Sequence, residues 1–251
     1  MNLATRVWRS SVGKKYVMAI TGCALFLFVI GHMVGNLQMF LGPEAINRYG
    51  HFLQSNVEIL WPVRIGLLLM VGLHIASAVS LTRENRRARP MGYAGNPAAP
   101  AASYASRTMM MSGLIIAAFV IYHLLHFTVQ VKAINLTGWD FHAMRDHLGR
   151  HDVYEMVIIG FSNKWVSAFY IFSMALLCLH LSHGVYAMFQ SLGVEPGFSP
   201  ALPRVLAKWG AILIFAGYVS IPLGVLTGVI GSKVVAQPNQ LAAPLEKEVA
   251  K

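Results

Sequence analysis

Cysteine and charge are both scarce in this chain. Cys23 and Cys178 are the only cysteines among 251 residues, each alone in an apolar run, TGCALF and LLCLHL. That excludes a disulfide framework, cysteine-ligated zinc or iron-sulfur sites, and the CxxCH motif that attaches haem covalently. Any metal has to be held by other donors. No glycine-rich dinucleotide fingerprint is present either. Charged side chains make up only 12% of the residues, 20 basic and 10 acidic. The net charge of +10 has no nucleic-acid motif beside it, and the basic residues flank apolar runs. No nucleic-acid partner is expected.

What remains is apolar. Hydrophobic residues make up 56% of the chain, more than an ordinary soluble domain carries. Runs long enough to cross a hydrocarbon core about 30 Å thick fall at 16–41, 60–82, 109–131, 164–190 and 208–232. They make residues 1–235 one transmembrane domain in the lipid bilayer, with 236–251 as a C-terminal tail. The first run follows VWRSSVGKKY and extends for about 25 residues without a small-residue cleavage site. It is expected to stay as an anchor rather than leave as a signal peptide. Summed over alternating exterior segments, Lys and Arg favour the N-terminal side, eleven against nine. That bias predicts a cytoplasmic N-terminus and a C-terminus outside.

Four spans carry a histidine, and the depths match in pairs. Counted from the cytoplasmic ends, His32 and His123 lie about 16 and 14 residues in, His74 and His180 about 8 and 10, so the two layers are roughly 9 Å apart. Imidazole within a bilayer is costly unless it faces the bundle interior with a partner, and a single one could be only a helix–helix hydrogen bond. Four at matched depths point instead to two cross-bundle pairs. Such pairs are axial ligand sets for haem iron that leave no open position, which suits electron transfer rather than oxygen chemistry.

Other polar and small residues surround these four. His126 and His183 follow His123 and His180 by three residues on nearly the same face. The residues alone leave open whether each is a ligand, a donor to a haem propionate or a quinone contact. Gly31 and Gly35 flank His32, Gly72 precedes His74, and Gly184 lies a turn beyond His180, positions where helices or a flat macrocycle can approach closely. The fifth span has Pro222 and the GxxxG pair Gly224 and Gly228 but no histidine, so it is expected to be a packing helix. In WDFHAMRDHLGRHDVYEMV, His142, His147 and His151 have no acidic residue at a clear ligand spacing. That segment is expected to be a solvated interfacial helix, able to line a quinone entrance.

The stretches GKKYVMAITGCALFLFVIGHMVGNLQMFLGPEAINRYGHFLQ, GLHIASAVSL, VIYHLLHFTV and LHLSHGVYAMFQSLG resemble a known family over residues 9–232. It is the two-haem cytochrome b subunit of succinate dehydrogenase and fumarate reductase, in its five-helix single-chain form. The resemblance implies an all-α membrane protein in which four transmembrane helices form a haem-binding bundle and the fifth packs beside it. It implies that His32, His74, His123 and His180 ligate two haem b irons, His32 with His123 and His74 with His180, leaving His126 and His183 behind the ligands. It also implies a flavoprotein subunit with FAD and an iron-sulfur subunit as partners at the cytoplasmic face of a bacterial-type inner membrane. Quinone would be the exchanged substrate, succinate or fumarate chemistry would stay in the partners, and the complex could oligomerise. Two features depart from characterised relatives. A polar pair that helps hold a haem propionate is replaced by Met18 and Ala19, with Lys14, Lys15, Ser106 and Arg107 as candidate substitutes. A membrane glutamate implicated in menaquinol chemistry has only Glu44 and Glu58 as nearby counterparts. Two alternatives share part of the pattern: a cytochrome b anchor of a hydrogenase or formate dehydrogenase, which lacks the GHMxGNLQ and LHLSHG context, and a haem-free transporter or anchor whose histidines relay protons.

Overall fold

The computed structural model describes residues 2–88, 103–193 and 201–236. These are helical almost throughout, and an isolated bridge between Arg145 and His151 is the only strand-type pairing among them. Helix α1 (Leu3–Arg9) stops at Ser10, whose extended backbone breaks the helix and whose hydroxyl caps α2 (Ser11–Leu37) at the Gly13 amide. A Cβ on Gly13 would overlap the Val7 backbone, so the turn needs glycine there. The chain leaves α2 through a 3-10 turn, Gln38–Leu41, and turns at Gly42, with φ 97°, into α3 (Pro43–Ser55), where proline fits the first turn. Helix α4 (Val57–Ala88) contains Pro62. A short α5 (Tyr104–Arg107) leads to α6 (Met109–His123), which runs on as one π turn, Leu124–Thr128. Asp152 and Asn163 cap α7 (Val153–Ser162) and α8 (Lys164–Ser191). Helices α9 (Leu202–Leu226) and α10 (Ser232–Ala236) complete the described chain.

Five helical segments are long and apolar enough to cross a membrane: Ser11–Leu41, Val57–Ala88, Met109–Thr128, Lys164–Ser191 and Leu202–Leu226. The chain is therefore a multi-pass membrane protein. Segment ends differ from the hydropathy limits for local reasons. The third span stops before Gln130, whose φ of 60° leaves the helical region, and the fifth stops before Gly228 and Gly231, both at φ 74°. Gly228 is therefore outside α9, and the GxxxG pair is not a helix-crossing motif; Gly224 instead meets Ile230 and Phe40. The expected interfacial helix over His142–His151 does not form. Asp140 accepts from the His142 amide, and Asp146 from the Leu148 and Arg150 amides, each at 3.0 Å. These local bonds compete with a helical ladder, and only the 3-10 turn Phe141–Ala143 remains there.

Helix α2 packs on α4 and α8, and α8 packs on α6 and α9, while α4 and α6 share at most marginal contact. Around the bundle the order is α4, α2, α8, α6, with α9 lying against α8 and α2. The diagonals join α4 to α8 and α2 to α6. Apolar residues such as Leu27, Leu68, Leu114 and Leu213 face outward, as lipid-facing helices require. Because lipid tails are as apolar as leucine, packing and hydrogen bonds hold such helices together; one example is Tyr218, whose hydroxyl donates to the Val29 carbonyl at 2.7 Å.

The two ends of the bundle are built differently. At one end α3, α7 and residues 129–152 form a cap around Met39, Ile46, Phe141, Met156 and Ile158. Arg150 closes the cap by a two-pronged ion pair with Glu44 (3.2 and 2.6 Å) and a third bond to Asp146 (2.7 Å). Buried Asn47 accepts from the Tyr154 amide (2.9 Å) and donates to Asp152 (3.1 Å), tying α3 to α7. At the other end Lys14 pairs with Glu84 across α2 and α4, and Ser11 donates to the same carboxylate.

Candidate functional site

The histidines predicted to pair do meet, across both diagonals of the bundle. His32 of α2 and His123 of α6 have ring centroids 5.8 Å apart with planes at 79°. His74 of α4 and His180 of α8 are 6.5 Å apart at 63°. A metal ion bound between two opposed imidazoles at ~2.0 Å each places the centroids roughly 6 Å apart, close to the spacing of both pairs. Among the described residues no group of three or more His, Cys, Asp or Glu could hold a metal. Two donors per site leave the remaining coordination positions to a ligand that brings its own, as a haem macrocycle does.

Neighbouring hydroxyls set the tautomer at the Lys14 end. Thr21 commits its hydroxyl proton to the Val17 carbonyl at 2.7 Å, so towards His74 Nδ1, 3.3 Å away, it can only accept. The Met18 carbonyl, at 3.2 Å, is a second acceptor for the same proton. Ser112 repeats the arrangement: it donates to the Met109 carbonyl at 3.1 Å and faces His180 Nδ1 at 3.3 Å. At His74 the Met18 carbonyl can only accept, so Nδ1 carries the proton and Nε2 the lone pair, and at His180 the Ser112 hydroxyl is placed to accept in the same way. This is the orientation that outer hydrogen bonds impose on metal-binding histidines. Glycine follows each hydroxyl residue. A Cβ on Gly22 would lie 3.3 Å from His74 Cε1, and one on Gly113 would lie 3.4 Å from His180 Cε1.

Aromatic rings take the place of hydroxyls and glycines at the capped end. Buried Tyr170 lies with its hydroxyl 3.4 Å from His123 Nδ1 and 3.0 Å from His126 Nδ1. Phe119 stacks on His123, and Phe127 lies 3.9 Å from the His126 ring, centroid to centroid. His126 is fully enclosed, and its Nε2 is one of two buried side-chain atoms without a hydrogen-bond partner among the described residues, the other being Ser77 Oγ. His32 stacks on Phe28 and lies 6.2 Å from the Tyr218 ring, so α9 contributes to this pair as well as packing beside it.

The remaining candidates are scattered. His183 is half-buried one turn beyond His180. Lys14 is buried in its ion pair with Glu84, Lys15 is exposed, and Ser106 and Arg107 lie on α5, half-buried and exposed. The glycines noted beside the histidines are not the ones that touch them. Gly35 lies against Tyr49 and Gly184 near the Met109 methyl, while a Cβ on Gly31 or Gly72 would meet no heavy atom within 4 Å. Glu44 belongs to the Arg150 cluster, where the guanidinium holds its carboxyl below the usual range. Burial pushes Asp146 up, but Arg150 and the Leu148 and Arg150 amides outweigh it, so it too is lowered. Glu58 is exposed. Burial is also the main cause that keeps His151 below an ordinary imidazole value, and its Nε2 lies 2.9 Å from the Gln130 side-chain nitrogen.

Thr21, Ser112 and Tyr170 were not singled out by sequence reasoning. The signal for the first two is a hydroxyl residue followed by glycine, in TGC and SGL; Tyr170 in SAFYIF carries no local signal. No family model matches this chain, and neither a curated protein nor a solved structure does.

Proposed function

We propose that this chain is the dihaem cytochrome b membrane anchor of a succinate:quinone oxidoreductase, passing electrons between an iron-sulfur partner and membrane quinone. The observation that carries the reading is the pair of cross-bundle histidine couples, 5.8 and 6.5 Å apart, contributed by four different spans. Haem iron held between two imidazoles accepts and releases single electrons without binding oxygen. His32 and His123 would hold one haem b and His74 and His180 the other. Thr21, Met18 and Ser112 keep protons on Nδ1 and so present Nε2 to the metal. Phe119, Phe28 and Phe127 pack their rings against the capped-end pair.

Choosing succinate:quinone chemistry over another cytochrome b complex rests on the family resemblance of GHMVGNLQ and LHLSHG. In that reading a flavoprotein with FAD and an iron-sulfur subunit dock at the cytoplasmic Lys14 end, and the chain itself does not oxidise succinate. The test is purification from its native membrane. Two haem b per chain with a low-spin bis-histidine spectrum, together with a covalent-flavin partner, are expected. Absence of haem overturns the cytochrome reading, and a nickel or molybdenum partner redirects it to a hydrogenase or formate dehydrogenase.

A further inference from the structure

Arg64 lies seven residues into α4, about 10 Å from its start, within a membrane-spanning segment. A charge placed there ordinarily has a partner or a task. Lys14 is paired with Glu84 and Arg150 with Glu44 and Asp146, whereas among the described residues Arg64 has only the Trp61 ring, 5.5 Å from its guanidinium carbon. Arg145 donates to the carbonyls of His142 (2.7 Å) and Met144 (2.8 Å), which leave its charge uncompensated. The two arginines line one cavity of about 240 Å³ together with Gln54, Gln130, His142 and His151, and no carboxylate faces it.

We propose that this cavity binds a phosphate group, supplied by an anionic phospholipid whose headgroup enters from the bilayer. Two guanidiniums on one cavity match the charge of a phosphate, and Gln54 adds an amide group to the lining. The cavity wall is also where the backbone departs from regularity. The π turn Leu124–Thr128 ends at it, and Gln130 follows in the left-handed region at φ 60°. Both features concentrate at ligand sites, and the Gln130 side chain is braced there by His151 and the Met156 sulfur. The lipid source follows from depth. The cavity sits where α4 begins and the third span ends, beside exposed Phe52, Val57, Ile59 and Trp61. An apolar and aromatic rim of this kind marks the membrane boundary, where acyl chains can lie along the helices while the headgroup meets the arginines. The histidine pairs take no part in the site, so it stands whether or not they hold haem.

The experiment uses the full-length chain, delipidated in detergent and re-exposed to phosphatidylglycerol or phosphatidylcholine, with bound lipid counted by native mass spectrometry. Wild-type protein is expected to prefer phosphatidylglycerol by about tenfold, equivalent to about 1.4 kcal/mol. The double variant Arg64→Gln/Arg145→Gln should lose that preference. Gln54→Glu, a surface change that sets a carboxylate in the cavity, should weaken it if the double variant does not fold. Millimolar inorganic phosphate separates the sources. If it displaces the lipid or stabilises the delipidated wild type but not the variants, free phosphate is the ligand; if it does neither while the lipid preference holds, the headgroup is. Equal retention of both lipids without a phosphate effect overturns the site. So does a preference that survives in every folded variant.

Discussion

His74 and His180 are steered by Thr21 and Ser112, each followed by a glycine, whereas His123 is steered by a phenol, Tyr170, that it shares with His126. The two arrangements differ in what the acceptor can do. A hydroxyl bonded back to its own helix is set as an acceptor, and at His74 the Met18 carbonyl fixes the same tautomer through the backbone. The Tyr170 proton can point to only one of two imidazoles. If His123 binds metal through Nε2, its Nδ1 proton goes to Tyr170 and the phenol proton goes to His126 Nδ1. The buried His126 Nε2 then carries an unpartnered hydrogen, a cost of about 1–3 kcal/mol. Similar histidine pairs therefore have a stiff setting at one end and a shared, polarisable one at the other.

The strongest way to break this comparison is to remove a ligand at each end. His180→Ala and His123→Ala should each take the haem count from two to one, with a different half of the redox titration disappearing. If His126→Ala deletes a haem and His123→Ala does not, the assignment of ligand and supporting residue at the capped end is reversed. The next largest effect is expected from Tyr170→Phe, which leaves two imidazoles without their bond. Hydrogen bonding at Nδ1 raises ligand basicity and favours oxidised iron. Its loss should raise the midpoint potential of the capped-end haem and weaken haem retention there by about 10-fold, the low end for supporting residues.

Variants at the Lys14 end sharpen the contrast. Ser112→Ala should shift only the other haem, and Thr21→Val should shift it least, because the Met18 carbonyl still accepts the His74 proton. Potentiometric titration of the three variants tests that order, and equal shifts would contradict the distinct roles. The smallest effect concerns the cap. Glu44 and Asp146 both have lowered pKa values through Arg150. Their contribution to stability is therefore present above about pH 4 and is lost as pH falls through the lowered values. Glu44→Gln should cost little at pH 7, since Glu44 is exposed and Arg150 keeps its bond to Asp146, and should flatten part of the acid dependence of thermal unfolding.

The five spans were legible because length and apolarity alone decide them, and the histidine couples because depth along a span is simple counting. The residues that orient those histidines were not. Thr21 lies 53 residues from His74, and Ser112 lies 68 from His180; only helix packing makes them neighbours. Hydroxyl and glycine residues are common in membrane helices, so TGC and SGL do not stand out from their surroundings. Gly31 and Gly72, beside histidines in sequence, leave open space where a Cβ would stand, while Gly22 and Gly113, distant in sequence, lie against the His74 and His180 rings. The loop bearing His142 and His151 reads as helical by composition, but Asp140 and Asp146 fold their own amides into turns. That competition is decided by φ/ψ choices at single residues rather than by hydrophobic pattern.

The weak contact between α4 and α6 bears on how such a protein is put together. Among the described residues the bundle is held on three sides by helix pairs and least along the fourth, between α4 and α6. On the dihaem reading proposed above, the spans would insert and associate first, as membrane helices do, and the haems would enter along that side. Loading in that order would need no unfolding of the finished bundle.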